Sequence, residues 1–392
     1  MTGARFWDMV CTALYLALYA ALYAREIPVP AKRRSVTMSD VAAHAGVSIK
    51  TVSNVINNWP YVTEETRQKV VAAIEAVGYR PNHTARSLVT GKTKAVGVLV
   101  PDVSNPFFGT AIRACEEALV EDGYSLFLCN TNEDAERERY YLEQLLSRGV
   151  DGLILWGARL SCDELEGIVG ADTALITVEL GEEPRRSNHT CINVDNKGGA
   201  CMATEHLLRE GHRRIGHLAG PLDRITSRQR KQGYEQALVT AGLEPLPEMT
   251  VAGHPSVQGG FRAAERLMRT QKPDAIFCYN DLMALGALLA ARYLGLRIPH
   301  DLALVGFDDI DVSSIVEPPL TTVRIPQAKL GRLTGKVVLE RLRGSEGSER
   351  VILCPVELRV RGSSGNSFGE EQKKATLDAL ISSFSDGGER PA

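Results

Sequence analysis

From Ala95 onward, the chain alternates short apolar runs with amphipathic stretches of helical length. The runs include AVGVLV at 95–100, GLILW at 152–156 and ALVGF at 303–307. Runs of this length, rich in Val, Ile and Leu and separated by helical periodicity, predict β-α-β units and a mainly parallel sheet. The pattern continues to residue 361, which is longer than one such sheet usually needs. We therefore expect an α/β core of two Rossmann-like lobes.

Residues 36–80 have a different pattern, with the start and stop signals of three short helices. Ser39, Ser48 and Thr63 are suitable N-cap residues, and Gly46 closes the first helix. A helix, a tight turn at glycine and a capped second helix are the spacing of a helix-turn-helix motif. These residues predict an all-α domain whose second helix enters the major groove of DNA.

The charge distribution supports a nucleic-acid partner for this domain. The whole chain has a net charge of −3, but residues 31–94 contain ten Lys or Arg and four acidic residues. Such a local excess of positive charge is typical of a segment that contacts phosphates. On the second helix, Lys50 can donate to guanine, Asn54 can bond adenine and Ile49 can touch a thymine methyl group. A three-helix bundle with a solvated polar face is the alternative interpretation of these residues alone.

Two long runs, at 36–58 (VTMSDVAAHAGVSIKTVSNVINN) and 62–93, resemble the DNA-binding domain of the LacI/GalR family at almost every position. The resemblance implies a transcriptional regulator, most often a repressor, that binds a palindromic operator on double-stranded DNA as a homodimer. It also implies base contacts from Ile49, Lys50 and Asn54, and phosphate contacts from Ser48, Thr51 and Ser53.

The segment PNHTARSL at 81–88 resembles the hinge helix of the same family. The resemblance implies pairing with the partner's hinge in the minor groove, where Leu88 wedges between base pairs. Asn82, Ala85 and Arg86 are the other expected DNA contacts of this segment. A helix this short is not stable alone, so we expect it to order only when dimer and DNA are both present.

Residues 95–361 resemble the core of the same family, which is like that of periplasmic sugar-binding proteins. In such folds, ligands bind at the carboxyl ends of the strands. Asn105, Phe107 and Phe108 follow the first strand, and an amide beside aromatic faces suits a sugar. Without the resemblance, the same residues are equally a helix start with two core phenylalanines.

Further candidate effector contacts come from later strands and helices. The family match places the effector-binding arginine at Arg230, with Arg228 as the competing position. Glu179 is a weaker candidate at the end of a strand, and Trp156 is either a stacking platform or a core residue. Asn280, Phe307 and Asp308, each at the end of a strand, complete the expected set.

One position departs from the family pattern. Many members carry Gln after the TTVR-like stretch, whereas Ile325 follows it here. Because an isoleucine side chain cannot hydrogen-bond, the effector's identity does not transfer from any relative. A sugar is the expected effector, and a purine or another metabolite is the alternative.

The ends of the chain and its cysteines complete the expected organisation. Residues 1–35, with an uncharged stretch at 9–24, are interpreted as a non-native or disordered extension, with a membrane-tethered regulator as the alternative. Residues 81–94 form the hinge and linker, and residues 362–392 a disordered tail. The eight scattered cysteines predict buried thiols in a reducing cytoplasm, where the protein associates with the nucleoid. Neither a metal site nor a cofactor is expected.

Two other classes of protein were weighed against a regulator. A sugar-binding protein for transport could use the apolar N-terminus as a signal peptide, but it would lack residues 36–92. An enzyme on Rossmann-like lobes would need a chemical motif, and the sequence contains no Gly-x-Gly-x-x-Gly after a strand, nucleophile elbow or Walker loop. His212 and His217 are interpreted as a helix-end residue and a strand residue, not as a catalytic pair.

Overall fold

A computed structural model of the chain describes residues 36–57, 59–79, 91–344 and 351–365. The N-terminal apolar stretch, the predicted hinge contacts Asn82, Ala85, Arg86 and Leu88, and most of the predicted tail lie outside these residues. The chain divides into two compact units near residue 85. Within the described ranges, no helix has the length and apolar character needed to cross a membrane.

The first unit is the predicted bundle of three helices, α1 (Met38–Ala45), α2 (Ile49–Ile56) and α3 (Glu64–Val77). Val41, Val52, Val55 and Val70 form most of its buried centre. Ser48 and Thr63 cap α2 and α3 as predicted, and Gly46 ends α1 in the left-handed conformation.

The predicted cap of α1 is wrong by two residues. Thr37, not Ser39, is the N-cap, and it exchanges hydrogen bonds with Asp40 in a capping box. A Thr followed three residues later by an acidic residue satisfies two backbone N–H groups at once. Ser39 already lies inside the helix, where its side chain cannot cap the first turn.

The second unit has two six-stranded sheets, which we call lobe 1 and lobe 2. Lobe 1 has the strand order β11-β5-β4-β3-β1-β2, and lobe 2 the order β12-β10-β9-β8-β6-β7. All pairings are parallel except that between β10 and β12. The strands are β1 (Ala95–Val100), β2 (Ser125–Asn130), β3 (Gly152–Trp156), β4 (Ala174–Val178), β5 (His189–Val194), β6 (Ile215–Ala219), β7 (Thr250–Ala252), β8 (Ala275–Cys278), β9 (Ala303–Asp308), β10 (Thr321–Arg324), β11 (Val351–Cys354) and β12 (Glu357–Arg359).

Helices cover both sheets and bury their faces. They are α4 (Pro106–Val120), α5 (Ala135–Ser147), α6 (Cys162–Ile168), α7 (Asn196–Arg209), α8 (Ile225–Thr240), α9 (Val257–Gln271), α10 (Asp281–Tyr293), α11 (Val312–Ile315) and α12 (Gln327–Leu342). A short 3-10 turn, Pro247–Met249, precedes β7. The expected two-lobed α/β fold is therefore confirmed.

The chain passes between the lobes three times, after β5, after β10 and after β11. Both lobes are thus built from separated pieces of sequence, and the connections lie at the carboxyl ends of β5, β10 and β11. The apolar pattern of the sequence does not predict six of these elements, namely β5, α7, β10, α12, β11 and β12. Ser363 and Ser364, in the predicted tail, are fully buried, and Ser363 Oγ donates to the Leu304 carbonyl of lobe 2.

Candidate functional site

A cavity lies between the lobes at the carboxyl ends of their strands, where ligands of such sheets are expected. Its empty volume is about 640 Å³, part of it open to solvent. The lining residues come from both lobes: Pro101, Asp102, Asn105, Phe107, Phe108, Glu133, Gly157, Glu179, Arg224, Thr226, Arg230, Pro255, Tyr279, Asn280, Asp308 and Ile325. This set includes six of the eight predicted effector contacts. Phe307 and Trp156 are not among the lining side chains.

Arg230 is the central cation of the cavity. The residue is 3% exposed, and its guanidinium lies over the ring of Phe307, 3.7 Å from the centroid. Nε donates to Asn196 Oδ1 at 2.8 Å, and Nη1 donates to the Tyr279 carbonyl. Phe307 therefore acts behind the cavity, as a platform that fixes the plane of the arginine.

Asp308 is the acidic partner of this arginine. Its Oδ1 lies 3.6 Å from Arg230 Nη1, and the residue is 6% exposed. Burial raises the pKa of Asp308 well above its ordinary value, and the nearby Arg230 opposes that shift. The backbone of Asp308 has a φ of 113°, which is rare for a non-glycine residue and is tolerated where the surroundings fix it.

The competing arginine lies elsewhere. Arg228 is exposed, and its Nη1 donates to the carbonyls of Leu222 and Asp223. It does not line the cavity. The geometry therefore favours Arg230 as the effector-binding residue of this segment.

Asn105 and Asn280 each cap the helix that leads away from the cavity. Asn105 Oδ1 accepts from the Phe107 amide at 3.0 Å, and Asn280 Oδ1 accepts from the Met283 amide at 2.9 Å. Because each cap uses the amide oxygen, the amide nitrogen is the atom left for a ligand.

The three predicted aromatic residues of lobe 1 form a cluster. Phe107 and Phe108 line the cavity, with their rings edge to face at 5.2 Å. Trp156 packs behind them, 6.2 Å from Phe107 and 2% exposed. Of its two interpretations, the structure favours that of a core residue.

Several lining residues were missed by the sequence analysis. Asp102, Glu133 and Tyr279 lie within three residues of the ends of β1, β2 and β8, so a search of the residues after every strand would have found them. Arg224 and Thr226 gave no such signal, because they lie at the start of a helix in a segment crowded with arginines. The weaker candidate Glu179 does line the cavity, and its Oε1 accepts from Asn196 Nδ2 at 3.0 Å.

Two arginines join the lobes beside the cavity, and we call these contacts the interlobe clasp. Arg159 of lobe 1 pairs with Asp223 of lobe 2 at 2.5 Å. Arg224 of lobe 2 donates to the Gly157 carbonyl of lobe 1 and lies 3.6 Å from the Glu133 carboxylate. Arg224 Nη2 is buried without a hydrogen-bond partner among the described residues, so a ligand oxygen can complete its hydrogen bonding.

In the three-helix unit, the predicted DNA contacts lie on one helix. Ile49 and Lys50 are exposed at the start of α2, and the Ile49 side chain is 51% exposed. Ser48 Oγ caps the helix by accepting from the Thr51 amide at 3.1 Å. Ser53 and Asn54 follow one turn later and are half-buried. An apolar side chain left exposed at a helix start is suited to contact a thymine methyl group.

A helix-turn-helix domain and a two-lobed ligand cavity in one chain define the class of DNA-binding regulators that respond to small molecules. The family model described as "Periplasmic binding proteins and sugar binding domain of LacI family" matches residues 93–361. The model described as "Bacterial regulatory proteins, lacI family" matches residues 37–82. The chain belongs to the LacI family, and it is a transcriptional regulator and not an enzyme.

Relatives and solved structures agree with this assignment. The chain is 37% identical to the HTH-type transcriptional repressor PurR of Haemophilus influenzae (strain PittEE), over 83% of its length and 98% of that protein. It is 34% identical to PurR of Aliivibrio fischeri (strain ATCC 700601 / ES114), over 84% of its length and 98% of that protein. The Lac repressor dimer bound to operator and the anti-inducer ONPF is 28% identical, with a TM-score of 0.76, covering 85% of this chain and 100% of that one. A CelR–cellobiose complex is 31% identical, with a TM-score of 0.63, covering 84% and 99%.

Proposed function

We propose that the protein is a repressor that acts in the cytoplasm as a homodimer on a pseudo-palindromic operator and is controlled by a sugar bound between its lobes. The observation that carries the proposal is a polar cavity at the strand ends of the two lobes, in the same chain as a recognition helix with exposed Ile49 and Lys50. In this proposal the two-fold symmetry of the dimer is matched by the two half-sites of the operator.

The chemistry of the cavity supports a ligand with several hydroxyl groups. Four carboxylates, two amides and two arginines line it. Carboxylates accept from hydroxyl groups, and arginines donate to them, so a polyol can satisfy both sets. The rings of Phe107 and Phe108 meet at 88°, so the pair offers no parallel slot for a planar base.

A purine is the second candidate, and the relatives named PurR favour it. Tyr279 is the aromatic residue on which a base would stack in this cavity. Arg230 already lies 4.6 Å from the centroid of that ring, and Gly220 packs against its carbons, so a base would have to stack on the ring surface that these two leave.

Apolar side chains on both lobes support the homodimer. β2 is the edge strand of lobe 1, and its Phe127 and Leu128 are 51% and 45% exposed. On lobe 2, Leu289 and Tyr293 lie one turn apart on α10 and are also exposed. Packing against a partner chain would remove these apolar side chains from water.

Effector binding would change the closure of the lobes and so change whether the hinge at 81–94 orders on DNA. The free energy available for this coupling is the difference in effector affinity between open and closed lobes. An effector that favours the ordered hinge is a corepressor, and one that favours the disordered hinge is an inducer.

The first experiment is selection from a randomised duplex library with purified residues 36–392, alone and with pooled sugars or pooled purines. We expect an enriched inverted repeat with a deformable pyrimidine–purine step at its centre. A monomer in solution would contradict the homodimer. Enrichment that responds to purines and not to sugars would replace the proposed effector.

A further inference from the structure

Three side chains with metal-binding atoms meet inside lobe 1, apart from the cavity lining. Cys162 and Glu166 lie one turn apart on α6, and His189 begins β5. They are 2%, 5% and 0% exposed. The effector mechanism uses none of them, and buried titratable side chains of three different kinds are uncommon in a structural core.

The three candidate ligand atoms lie close to the separations of a tetrahedral site. Cys162 Sγ lies 3.5 Å from Glu166 Oε1 and 3.8 Å from His189 Nδ1, and Oε1 lies 2.9 Å from Nδ1. With zinc bonds of about 2.0–2.3 Å, neighbouring ligand atoms of a tetrahedral site are about 3.3–3.6 Å apart. Each atom therefore needs to move by only a few tenths of an ångström.

We propose that Cys162, Glu166 and His189 form a binding site for a zinc-like divalent cation. A thiolate, an imidazole and a carboxylate are the ligand types that zinc takes in proteins, whereas magnesium and calcium prefer oxygen ligands alone. The fourth ligand of the cation is then a water molecule or the Glu183 carbonyl oxygen, which lies 3.6 Å from Cys162 Sγ.

Charge balance supports a divalent ion at this depth. One thiolate, one carboxylate and one neutral imidazole around a divalent cation give a site of zero net charge. A neutral group avoids the large cost of burying an unpaired ion. The nearest positive side chain, Arg186, has its Nε 3.9 Å from Glu166 Oε2.

The surroundings orient the three groups as in known metal sites. His189 Nε2 lies 2.9 Å from Thr177 Oγ1, so its N–H can donate to that hydroxyl while Nδ1 faces the ion. Glu166 Oε1 accepts from the amides of Arg185 and Arg186, at 2.9 and 3.2 Å. Metal-bound histidines and carboxylates are usually held by partners of this kind.

The hydrogen bonding at Glu166 is also crowded without an ion. Two backbone amides, the Cys162 thiol and His189 Nδ1 all converge on Oε1. One carboxylate oxygen has about two lone-pair sites, so two of these four donors are poorly accommodated. If Sγ, Oε1 and Nδ1 bind one cation, the protons of the Cys162 thiol and of His189 Nδ1 no longer compete for Glu166 Oε1. One positive charge, bound by all three atoms, takes their place.

Metal binding at this site must release a proton. Sulfur binds zinc as a thiolate, so a Cys162 thiol gives up its proton when the metal binds. On binding, the S–H bond breaks, the proton passes to the buffer and the sulfur lone pair bonds the cation. The apparent affinity should therefore weaken as the pH falls.

The test uses tag-free full-length protein stripped with a chelator and then loaded with zinc or cobalt(II). We expect one zinc per chain after dialysis, and a thiolate-to-cobalt charge-transfer band in the near ultraviolet. Cys162→Ser and His189→Gln should each weaken the affinity more than about a hundredfold, and Thr177→Val should weaken it about tenfold.

The chain supplies its own matched control. Cys201 and Glu205 are also a Cys–Glu pair one turn apart, with Sγ 3.3 Å from Oε1, but among the described residues no third ligand atom completes a group with them. Cys201→Ser should keep the zinc and the cobalt band. A wild-type protein without the thiolate band, or equal loss in Cys201→Ser and Cys162→Ser, would overturn the proposal. Because the wild-type spectrum needs no variant, misfolding of a substituted protein leaves the test decisive.

Discussion

Arg230 shows how one side chain joins fold and function. Its guanidinium is held by Asn196, the Tyr279 carbonyl and the face of Phe307, with the buried carboxylate of Asp308 as its counter-charge. These contacts fix the plane of the guanidinium before a ligand arrives. A preorganised donor loses less entropy on binding than one that must first be ordered.

We predict that Arg230→Ala weakens effector binding by about a hundredfold or more, because it removes one partner of a buried charge pair. It should also lower the free energy of unfolding by about 3 kcal/mol, since Asp308 is left buried without a cation. Calorimetric titration and chemical denaturation measure the two effects.

Two further variants separate sensing from stability. Arg230→Ala combined with Asp308→Asn should recover stability without recovering effector binding, because the uncompensated charge is gone but the donor is not restored. Arg228, the exposed arginine that competes with Arg230 for this role, provides the control. Arg228→Ala should bind effector normally. A large loss of operator affinity in effector-free Arg230→Ala would argue against a purely sensing role.

His217 is a second residue whose burial has a measurable consequence. Its ring is fully buried on β6, stacked 5.0 Å from Phe277 and 5.2 Å from Tyr234. Nδ1 donates to the Phe277 carbonyl at 3.0 Å. Burial lowers the pKa of His217 from 6.5 to about 4, so the folded protein keeps the ring neutral.

We predict that stability falls as the pH is lowered from about 6.5 towards 4, by about 3 kcal/mol from this group alone. The sign follows because the unfolded chain binds the proton at a pH where the folded chain does not. Urea denaturation across this range measures the slope. His217→Phe, which keeps the stacking, should flatten the slope, and an unchanged slope would assign the effect to other groups.

At the scale of the element, most residues of the predicted DNA-contact site and of the cavity lie at the ends of helices and strands. The recognition helix α2 begins at Ser48 because its hydroxyl accepts from the Thr51 amide. The cavity forms because strand ends of both sheets place polar residues at one edge, among them Glu179, Asn280 and Asp308. Helix caps and strand ends are signals that a sequence carries locally.

The corrected start of α1 gives a direct test of that reasoning. We predict that Thr37→Ala lowers the stability of the three-helix unit by about 1 kcal/mol, because it removes the N-cap hydroxyl. Ser39→Ala should change it by less than about 0.5 kcal/mol, as for a site away from such features. The temperature at which operator binding is lost on heating compares the two variants. Thermal unfolding of residues 36–79 alone makes the same comparison once that fragment is shown to fold. Equal losses of stability in the two variants would show that Ser39 contributes as much to the start of the helix as Thr37.

At the scale of the whole molecule, the interlobe clasp connects the two lobes, and in the proposed mechanism it links ligand binding to lobe closure. Arg159 and Asp223 are far apart in sequence and belong to different lobes, and the Asp223 side chain is 57% exposed. An exposed pair contributes little to stability, about 0–1 kcal/mol. The contact joins the two lobes directly, so in the proposed mechanism it would favour the closed state over an open one.

We predict that Asp223→Asn weakens effector binding about two- to fivefold without lowering the melting temperature, because up to about 1 kcal/mol of closure is lost. Solution scattering should report a larger fraction of open lobes. Asp301→Asn is the matched control, since Asp301 pairs with Arg297 within lobe 2. A similar loss of affinity in both variants would show that charge, and not the clasp, is responsible.

The sequence by itself determined the class of fold and the family. Apolar periodicity, helix caps and the long run at 36–93 are local signals, and each depends on residues a few positions apart. From strand ends and the family pattern it also predicted Asn105, Arg230, Asn280 and Asp308, which all line the cavity.

Only the tertiary structure decided which residues from distant parts of the chain meet. The three crossings between lobes bring Arg224 to Gly157 and Glu133, and the packing of α6 on β5 brings Cys162 to His189. The side chains of Trp156 and Phe307 do not line the cavity, although both residues lie at strand ends. Whether such a side chain faces the cavity or the core depends on what packs around it. Spacing along the chain does not carry this information, since contacts between distant segments depend on the packing of the entire core.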